Sequence, residues 1–205
     1  MFTRIANNFR QSVDLVVLII EMISVGYMAL RVQARPDWLR ASHVVDVYSV
    51  CGCCISKHFA KWINFWRHNG WWWFDSPEII RDVSREHGID LAGTTLFFYE
   101  AYELEFDEND RTWLPYKPEA TFKTNVAVPV EKTFVGYDVV TFSCRNSAEC
   151  SPLSCNRMAE EIRTNEHCLL ESFEDAKRYL EAGMFDKTEP GPFRIYNVNV
   201  VPWPS

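Results

Sequence analysis

The chain has 205 residues, of which 47% are hydrophobic and 15% aromatic, and its formal net charge is −7. This length fits one domain with a real core, and the composition argues against a disordered chain. The negative charge argues against nucleic acid as a partner, because binding phosphates requires clustered lysine and arginine. Seven cysteines cannot all pair, so we expect free thiols in a reducing, cytoplasmic compartment.

Residues 12–32 form a strongly apolar stretch, and its polar positions recur at helical spacing, which predicts a helix buried on most of its circumference. Asp14 and Glu21 leave the stretch shorter than the roughly 20 apolar residues of a membrane span. Three alternatives stay open: a docked helix, a membrane anchor and a cleaved signal segment. We therefore divide the chain into an N-terminal apolar helix over residues 1–34 and a single domain over residues 35–205.

The remaining elements follow from apolar periodicity and from helix caps. Strands are predicted over 43–50, 95–106, 122–128, 136–144 and 193–201, and helices over 55–66, 77–87, after Ser151-Pro152, and from Ser172 to Gly183. The middle strands are joined by connections too short for parallel crossovers, which indicates the α+β class. We expect a mostly antiparallel sheet of four to six strands with helices packed on one face, plus the N-terminal apolar helix. No internal repeat is evident.

The first group of cysteines predicts either a metal site or small core side chains. Cys51, Cys53, Cys54 and His58 form a candidate zinc site, although Cys-Gly-Cys-Cys does not match the usual spacing of structural zinc ligands. We favour the alternative, in which these cysteines fill small spaces in the core. Zinc is therefore a candidate cofactor, and no other cofactor is indicated.

The second group of cysteines contains a candidate nucleophile. Cys155 follows Ser151-Pro152 in the first turn of a predicted helix, where the helix dipole would favour the thiolate. His167 would act as its base, and Asp138 or Glu149 would orient that base. Because most cysteines at such positions have no catalytic role, structural packing is the alternative that we favour.

Glu100 is the one charged residue on the apolar face of the predicted strand over residues 95–106. A buried carboxylate must find a partner or raise its pKa, so Glu100 is a candidate general acid or base. The alternative, which we favour, is a structural ion pair with Arg145 or Arg194.

An acidic run after this strand and an aromatic run before the helix over 77–87 predict a partner-binding surface. The residues concerned are Trp71, Trp72, Trp73, Glu103, Glu105, Asp107 and Glu108. Exposed tryptophan beside acidic groups is typical of protein-binding hot spots. Burial of the tryptophans and a solvated acidic strand edge are the alternatives.

The sequence contains no phosphate-binding loop, nucleophile elbow or zinc-protease motif. We therefore expect a non-enzymatic, inhibitor-like or immunity-like domain that offers its acidic and aromatic surface to a basic protein partner. In composition alone, the chain resembles small acidic bacterial immunity and inhibitor proteins. The alternatives are a thiol- or zinc-dependent enzyme using Cys155 and His167, and a cytoplasmic domain associated with a membrane through residues 12–32.

Overall fold

The structure of the protein is a computed structural model, and it describes residues 22–51, 61–62, 69–120, 122–142 and 150–204. These residues contain a six-stranded sheet, a second sheet of two short strands, and two α-helices. The strands are β1 (Met22–Leu30), β2 (Gln33–Ala34), β3 (Asp46–Val47), β4 (Thr95–Tyr102), β5 (Leu104–Asp107), β6 (Thr112–Pro115), β7 (Thr133–Thr141) and β8 (Phe193–Val201). The helices are α1 (Pro77–His87) and α2 (Phe173–Glu181), and a short 3-10 helix spans Met158–Glu160.

Strand β8 lies inside the large sheet, with β4 on one side and β7 on the other. β4 and β5 are successive parts of one extended segment, because Ala101 lies opposite Tyr196 and Phe106 lies opposite Phe193 on the same strand. β1 pairs with β4, and β6 folds back on β5. All of these described pairs are antiparallel, which confirms the expected α+β class and mostly antiparallel sheet.

Part of the predicted N-terminal helix is a strand. Residues Met22–Leu30 form β1, which pairs with β4 from Met22 opposite Tyr102 to Leu30 opposite Thr95. The predicted helix over 12–32 is therefore wrong for these residues, and residues 1–21 lie outside the described part of the chain. An apolar run buried on both sides has the same pattern in a helix and in a strand, which explains the error. Of the helices within the described ranges, none has the length and apolarity that crossing a bilayer requires.

Elements with clear local signals are confirmed. Helix α1 begins at Pro77 and ends before Gly88, which has a φ of 65°. Helix α2 begins after Ser172, whose hydroxyl accepts a hydrogen bond from the amide of Asp175. The long strand over 95–106 is confirmed as β4 and β5, and β8 has the predicted bounds.

Three other predictions are corrected. Residues 122–128 are irregular, and the strand predicted over 43–50 is reduced to β3. The segment after Ser151-Pro152 is a turn followed by the 3-10 helix. One α-type bond, Cys155 N–H to Ser151 C=O at 2.8 Å, is followed by a 3-10-type bond from Arg157 N–H to Ser154 C=O at 3.2 Å, so no α-helix forms. The helix predicted over 55–66 lies almost wholly outside the described residues.

The large sheet contains an internal repeat that the sequence analysis missed. β1, α1 and β4 form one half, β7, α2 and β8 form the other, and the two strands of each half pair with each other. β4 and β8 pair at the centre with Tyr99 opposite Val198, so a pseudo-twofold axis passes through this pair. Each outer strand has a β-bulge at the same tripeptide, Val-Gly-Tyr, over residues 25–27 in β1 and 135–137 in β7.

An asparagine holds the segment before the helix in each half. The Asn69 side chain donates to the carbonyl of Val25 at 3.0 Å and accepts from the backbone amides two and four residues further along. The Asn165 side chain donates to the carbonyl of Val135 at 2.7 Å and accepts from the amides at the same two spacings. The two halves therefore share a bulge and the contact that fixes the approach to the helix.

Alternation along the strands divides the side chains of the sheet between two faces. Tyr99 and Asp138 belong to the first face, where Trp73 from the connection before α1 packs on Tyr99 at 5.0 Å between ring centroids. Tyr102 and Tyr137 belong to the second face, where helix α2 packs against β7 and β8. The two hydrophobic clusters of the core do not divide by face. The first contains Trp73 together with Ile80 and Val83 of α1, and the second contains Phe173, Ala176 and Leu180 of α2.

Candidate functional site

A buried carboxyl on β7 holds together the two connections on the first face. Asp138 is fully buried, and it accepts hydrogen bonds from the Ser151 hydroxyl at 2.6 Å, the Ser49 hydroxyl at 3.1 Å and the Val50 amide at 2.8 Å. Burial raises the pKa of Asp138 to about 7, although these hydrogen bonds oppose the shift. The arrangement joins β7 to residues 49–51 and to the segment after residue 150.

Cysteines from both groups lie near this carboxyl. Cys155 and Cys168 interact electrostatically with Asp138, and the Cys51 amide donates to the Ser49 hydroxyl at 3.2 Å. Burial, followed by the nearby Asp138, raises the pKa of the Cys168 thiol far above its usual range, so this thiol stays protonated. The four described cysteines, 51, 150, 155 and 168, are not in disulfides.

Cys155 does not lie at the N-terminus of an α-helix, which was the reason for predicting an activated thiol there. Its segment is a turn followed by a 3-10 helix, so no α-helix begins there. The helix dipole that the sequence analysis invoked at Cys155 is consequently missing. The side chain is half-buried, which makes Cys155 the most accessible of the four described cysteines.

His167 pairs with Asp46, a residue that sequence reasoning did not select. The Nδ1 atom of His167 lies 2.6 Å from an Asp46 oxygen, and its ring stacks on Tyr48 at 4.1 Å between centroids. The Tyr48 amide also donates to the His167 carbonyl at 3.1 Å. These contacts fasten the β3 region to the second half of the fold. The expected orienting groups are placed elsewhere: Asp138 bonds to the serines, and Glu149 lies outside the described residues.

Glu100 forms the structural ion pair that we favoured, but with another partner. The Lys132 ammonium lies 2.6 Å from its carboxylate, and the Asn199 amide group donates to the same oxygen at 3.3 Å. The Glu100 side chain is 14% exposed. Arg194, one of the two expected partners, bonds to Glu105 instead, and Arg145, the other, lies outside the described residues.

Carboxylates of the acidic run are bound within the fold. Glu105 accepts two hydrogen bonds from the guanidinium of Arg194, at 3.1 and 3.2 Å, and Arg194 is only 2% exposed. Glu108 accepts from the Gly191 amide at 2.8 Å, and Asp107 accepts from two amides of the turn that follows it. A partner would have to displace these bonds, which makes this run a poor docking surface. The remaining carboxylate of the predicted surface, Glu103, is half-exposed.

The aromatic run is mostly core. Trp71 and Trp73 are buried, and Trp72 is half-buried with a φ of 70°. Trp71 packs on Tyr116 at 4.8 Å between centroids. The alternative of two-sided burial is therefore what the structure shows for Trp71 and Trp73, and these two residues are not part of an exposed surface.

Of the four residues of the predicted zinc site, one lies in the part of the chain that the structure describes. Cys51 is buried, whereas Cys53, Cys54 and His58 lie outside the described residues. Among the residues that the structure does describe, no group of three or more His, Cys, Asp or Glu side chains is arranged to hold a metal ion.

An open apolar cleft on the second face is the surface feature that sequence reasoning missed. Its volume is about 390 Å³, and it separates residues 127–131 from residues 201–204. The lining residues are Tyr27, Pro77, Glu78, Ala127, Val128, Pro129, Val130, Glu131, Val201, Pro202, Trp203 and Pro204. Val128 is 66% exposed at the rim, and Val130 is fully exposed.

Two carboxylates line the cleft, and the guanidinium of Arg81 lies beside its wall. Among its lining residues the ionisable acids and bases are Glu78 and Glu131, together with the hydroxyl of Tyr27. Hydrogen bonds from Ser76 and from its own amide lower the pKa of Glu78, so this carboxylate is charged at neutral pH. Burial raises the pKa of Tyr27 to about 12, so its hydroxyl stays neutral and donates to the carbonyl of Ala127.

The walls of the cleft are held in place before any partner binds. The Arg81 guanidinium lies over the Trp203 ring at 5.5 Å from its centroid and donates to the carbonyl of Pro204. The indole N–H of Trp203 donates to the carbonyl of Thr94 at 3.4 Å. These contacts, and the four prolines of the lining, leave the cleft little conformational freedom to lose on binding.

No protein-family model matches the chain, and neither the curated proteins nor the solved structures give a match. The geometry described above therefore carries the functional argument. One sequence signal could have indicated the cleft: the apolar run 126–130, Val-Ala-Val-Pro-Val, contains a proline, which argues against a central strand. Apolar side chains without a strand to bury them are candidates for an exposed surface.

Proposed function

We propose that this protein is a non-enzymatic protein-binding domain that takes a basic, apolar segment of a partner protein in the cleft between residues 127–131 and 201–204. The observation that carries the proposal is the pair Val128 and Val130, exposed at the rim of a cleft whose two carboxylates are Glu78 and Glu131. Contiguous exposed apolar surface with a polar rim marks interaction sites in soluble proteins.

The energetics favour an apolar segment that carries positive charge. Covering the side chain of a fully exposed valine stabilises a complex by about 1.5–3 kcal/mol. A lysine or arginine of the partner can lie at the rim beside Glu78 or Glu131 while its neighbours enter the cleft. The net charge of −7 adds long-range attraction for a basic partner and raises the association rate.

The acidic surface is thus proposed at the cleft, away from the run 103–108 that the sequence suggested. An inhibitor-like role follows if the segment that is covered is the functional surface of the partner. Binding is preferred over the thiol- or zinc-dependent alternative because His167 is engaged by Asp46, and because Cys155 has no α-helix N-terminus behind it.

A display experiment tests the proposal without a known partner. Random peptides are selected on the full-length protein, and the dissociation constants of enriched peptides are measured with wild type, Glu131→Lys and Glu86→Lys. Glu86 is a matched control, since it is an exposed glutamate near the other end of α1 from Glu78. We expect basic peptides, roughly tenfold weaker binding to Glu131→Lys, weaker binding in high salt, and no change with Glu86→Lys.

Two results would reject the proposal. One is the failure of any peptide to enrich on the wild-type protein. The other is enrichment of peptides that bind Glu131→Lys and Val130→Ser as tightly as wild type, because such peptides bind elsewhere.

A further inference from the structure

The cleft has a counterpart in the other half of the fold. Tyr27 and Tyr137 each follow the bulge glycine of their strand, and each is bridged to the segment before a helix. Pro77 and Phe173 are each the first residue of a helix that follows a serine. These positions are therefore equivalent under the pseudo-twofold axis.

The central strands supply a third pair of equivalent positions. Tyr99 and Val198 face each other at the axis, and Tyr102 and Val201 each lie three residues further along their strands. Tyr27, Pro77 and Val201 of the cleft thus correspond to Tyr137, Phe173 and Tyr102 of the second half.

In the second half this position is filled with aromatic rings. Phe173 packs on Tyr102 at 4.8 Å and on Tyr137 at 6.1 Å between ring centroids. In the first half, proline and valine stand where the second half has phenylalanine and tyrosine. Two aromatic rings are therefore missing from the first half, and the cleft of about 390 Å³ lies at that place.

We propose that the cleft takes an aromatic side chain of the partner segment, with a lysine or arginine next to it in the segment facing Glu78 or Glu131. This inference rests on the proposed function and names the anchor residue. The ring enters beside Tyr27 and Trp203, where contacts between aromatic rings add to the stabilisation from the burial of their area. The incoming ring takes the place that Phe173 and Tyr102 fill in the second half.

The test rebuilds the aromatic pair inside the cleft. The full-length variants are Val201→Tyr and Pro77→Phe/Val201→Tyr, and Leu114→Tyr is the control because it adds the same ring at an exposed position on β6. N-acetyl-tryptophanamide and N-acetyl-leucinamide are titrated into each protein, and chemical shifts of Val128, Val130 and Trp203 are followed by NMR. The enriched peptides from the display experiment are measured on the same variants.

We expect saturable shifts with the tryptophan amide at concentrations where the leucine amide causes none. We also expect at least tenfold weaker peptide binding to Val201→Tyr and unchanged binding to Leu114→Tyr. The wild-type titration decides the question by itself if the variants do not fold.

The contrary outcomes distinguish failure of the aromatic anchor from failure of the proposed binding function. Peptides that depend on Glu131 but lack an aromatic residue, or that bind Val201→Tyr normally, would overturn the aromatic anchor and leave the binding function in place. A protein that dimerises through Val130 would assign the cleft to a second copy and overturn the inference. Failure of every peptide and of the tryptophan amide would reject both.

Discussion

The stability of the fold should depend on pH through one buried group, Asp138. Its folded-state pKa is about 7, against an ordinary value of 3.8, because it lies fully buried on β7. A carboxyl whose pKa is raised by folding binds its proton more tightly in the folded state than in the unfolded state. Its favourable contribution is therefore complete below about pH 4 and is lost as the pH rises through about 7.

The size of the effect follows from the shift. The difference is about three pKa units, and each unit corresponds to about 1.36 kcal/mol, so the free energy of unfolding should fall by about 4 kcal/mol over this range. A domain has about 5–15 kcal/mol of stability in total, so the change is a large fraction of it. Replacement by asparagine removes the titration but leaves one oxygen to accept from four neighbouring donors, at a pH-independent cost of about 1–3 kcal/mol.

Urea denaturation of wild type and Asp138→Asn between about pH 4 and about pH 8 measures this slope. The difference between the two proteins isolates Asp138 from carboxyls such as Glu78, whose lowered pKa acts in the opposite direction. Asp110→Asn, at an exposed position of the β5–β6 turn, is the matched control. A wild-type-minus-variant difference that stays constant across this range would refute the reasoning, as would a carbon-13 NMR titration placing the Asp138 carboxyl near pH 4.

Two further predictions concern the repeat and the buried ion pair, and urea denaturation checks both. Gly136→Ala should lower the free energy of unfolding by on the order of 3 kcal/mol or more, because φ is +143° and the new Cβ would lie 2.6 Å from a side-chain carbon. Gly93→Ala is the control, since φ is +68° and the space around it is open, and it should cost about 1–2 kcal/mol. Equal costs for the two substitutions would contradict the close approach at the bulge. Glu105→Gln should lower the free energy of unfolding by about 3 kcal/mol or more, since it leaves the charge of Arg194 buried without a counter-charge. Glu103→Gln is the control and should change that free energy by no more than about 0.5 kcal/mol. Similar values for both substitutions would argue against the ion pair.

Helix and strand signals that are local in sequence were sufficient for part of the fold. Ser172 and the glycine after α2 bound that helix, because a cap needs only neighbouring residues. β4 was predicted from an approximate alternation, although its residues 96–99 are all buried. Strand β1 carries no such signal, since its last six residues are all buried and an apolar run of this kind suits a helix equally well.

The candidate site could not be predicted from signals that are local in the sequence. The cleft brings together residues 27, 77–78, 127–131 and 201–204, which meet only when β1, α1 and β8 are assembled. Pro77 and Val201 line the cleft at positions that hold aromatic rings in the other half, and this comparison requires the pseudo-twofold axis. The short Val-Gly-Tyr repeat was visible in the chain, but its two copies are followed by connections of unequal length.

Composition and periodicity were enough to predict an acidic α+β fold with a mostly antiparallel sheet, because charge and apolar spacing can be counted residue by residue. Packing between distant segments sets which polar and aromatic side chains stay exposed, and this could not be predicted from the sequence. Glu105 and Trp73 are sequestered by Arg194 and Tyr99, whereas Val128 and Val130 are left uncovered. Exposure depends on what packs against a side chain, and those contacts join residues far apart in the chain.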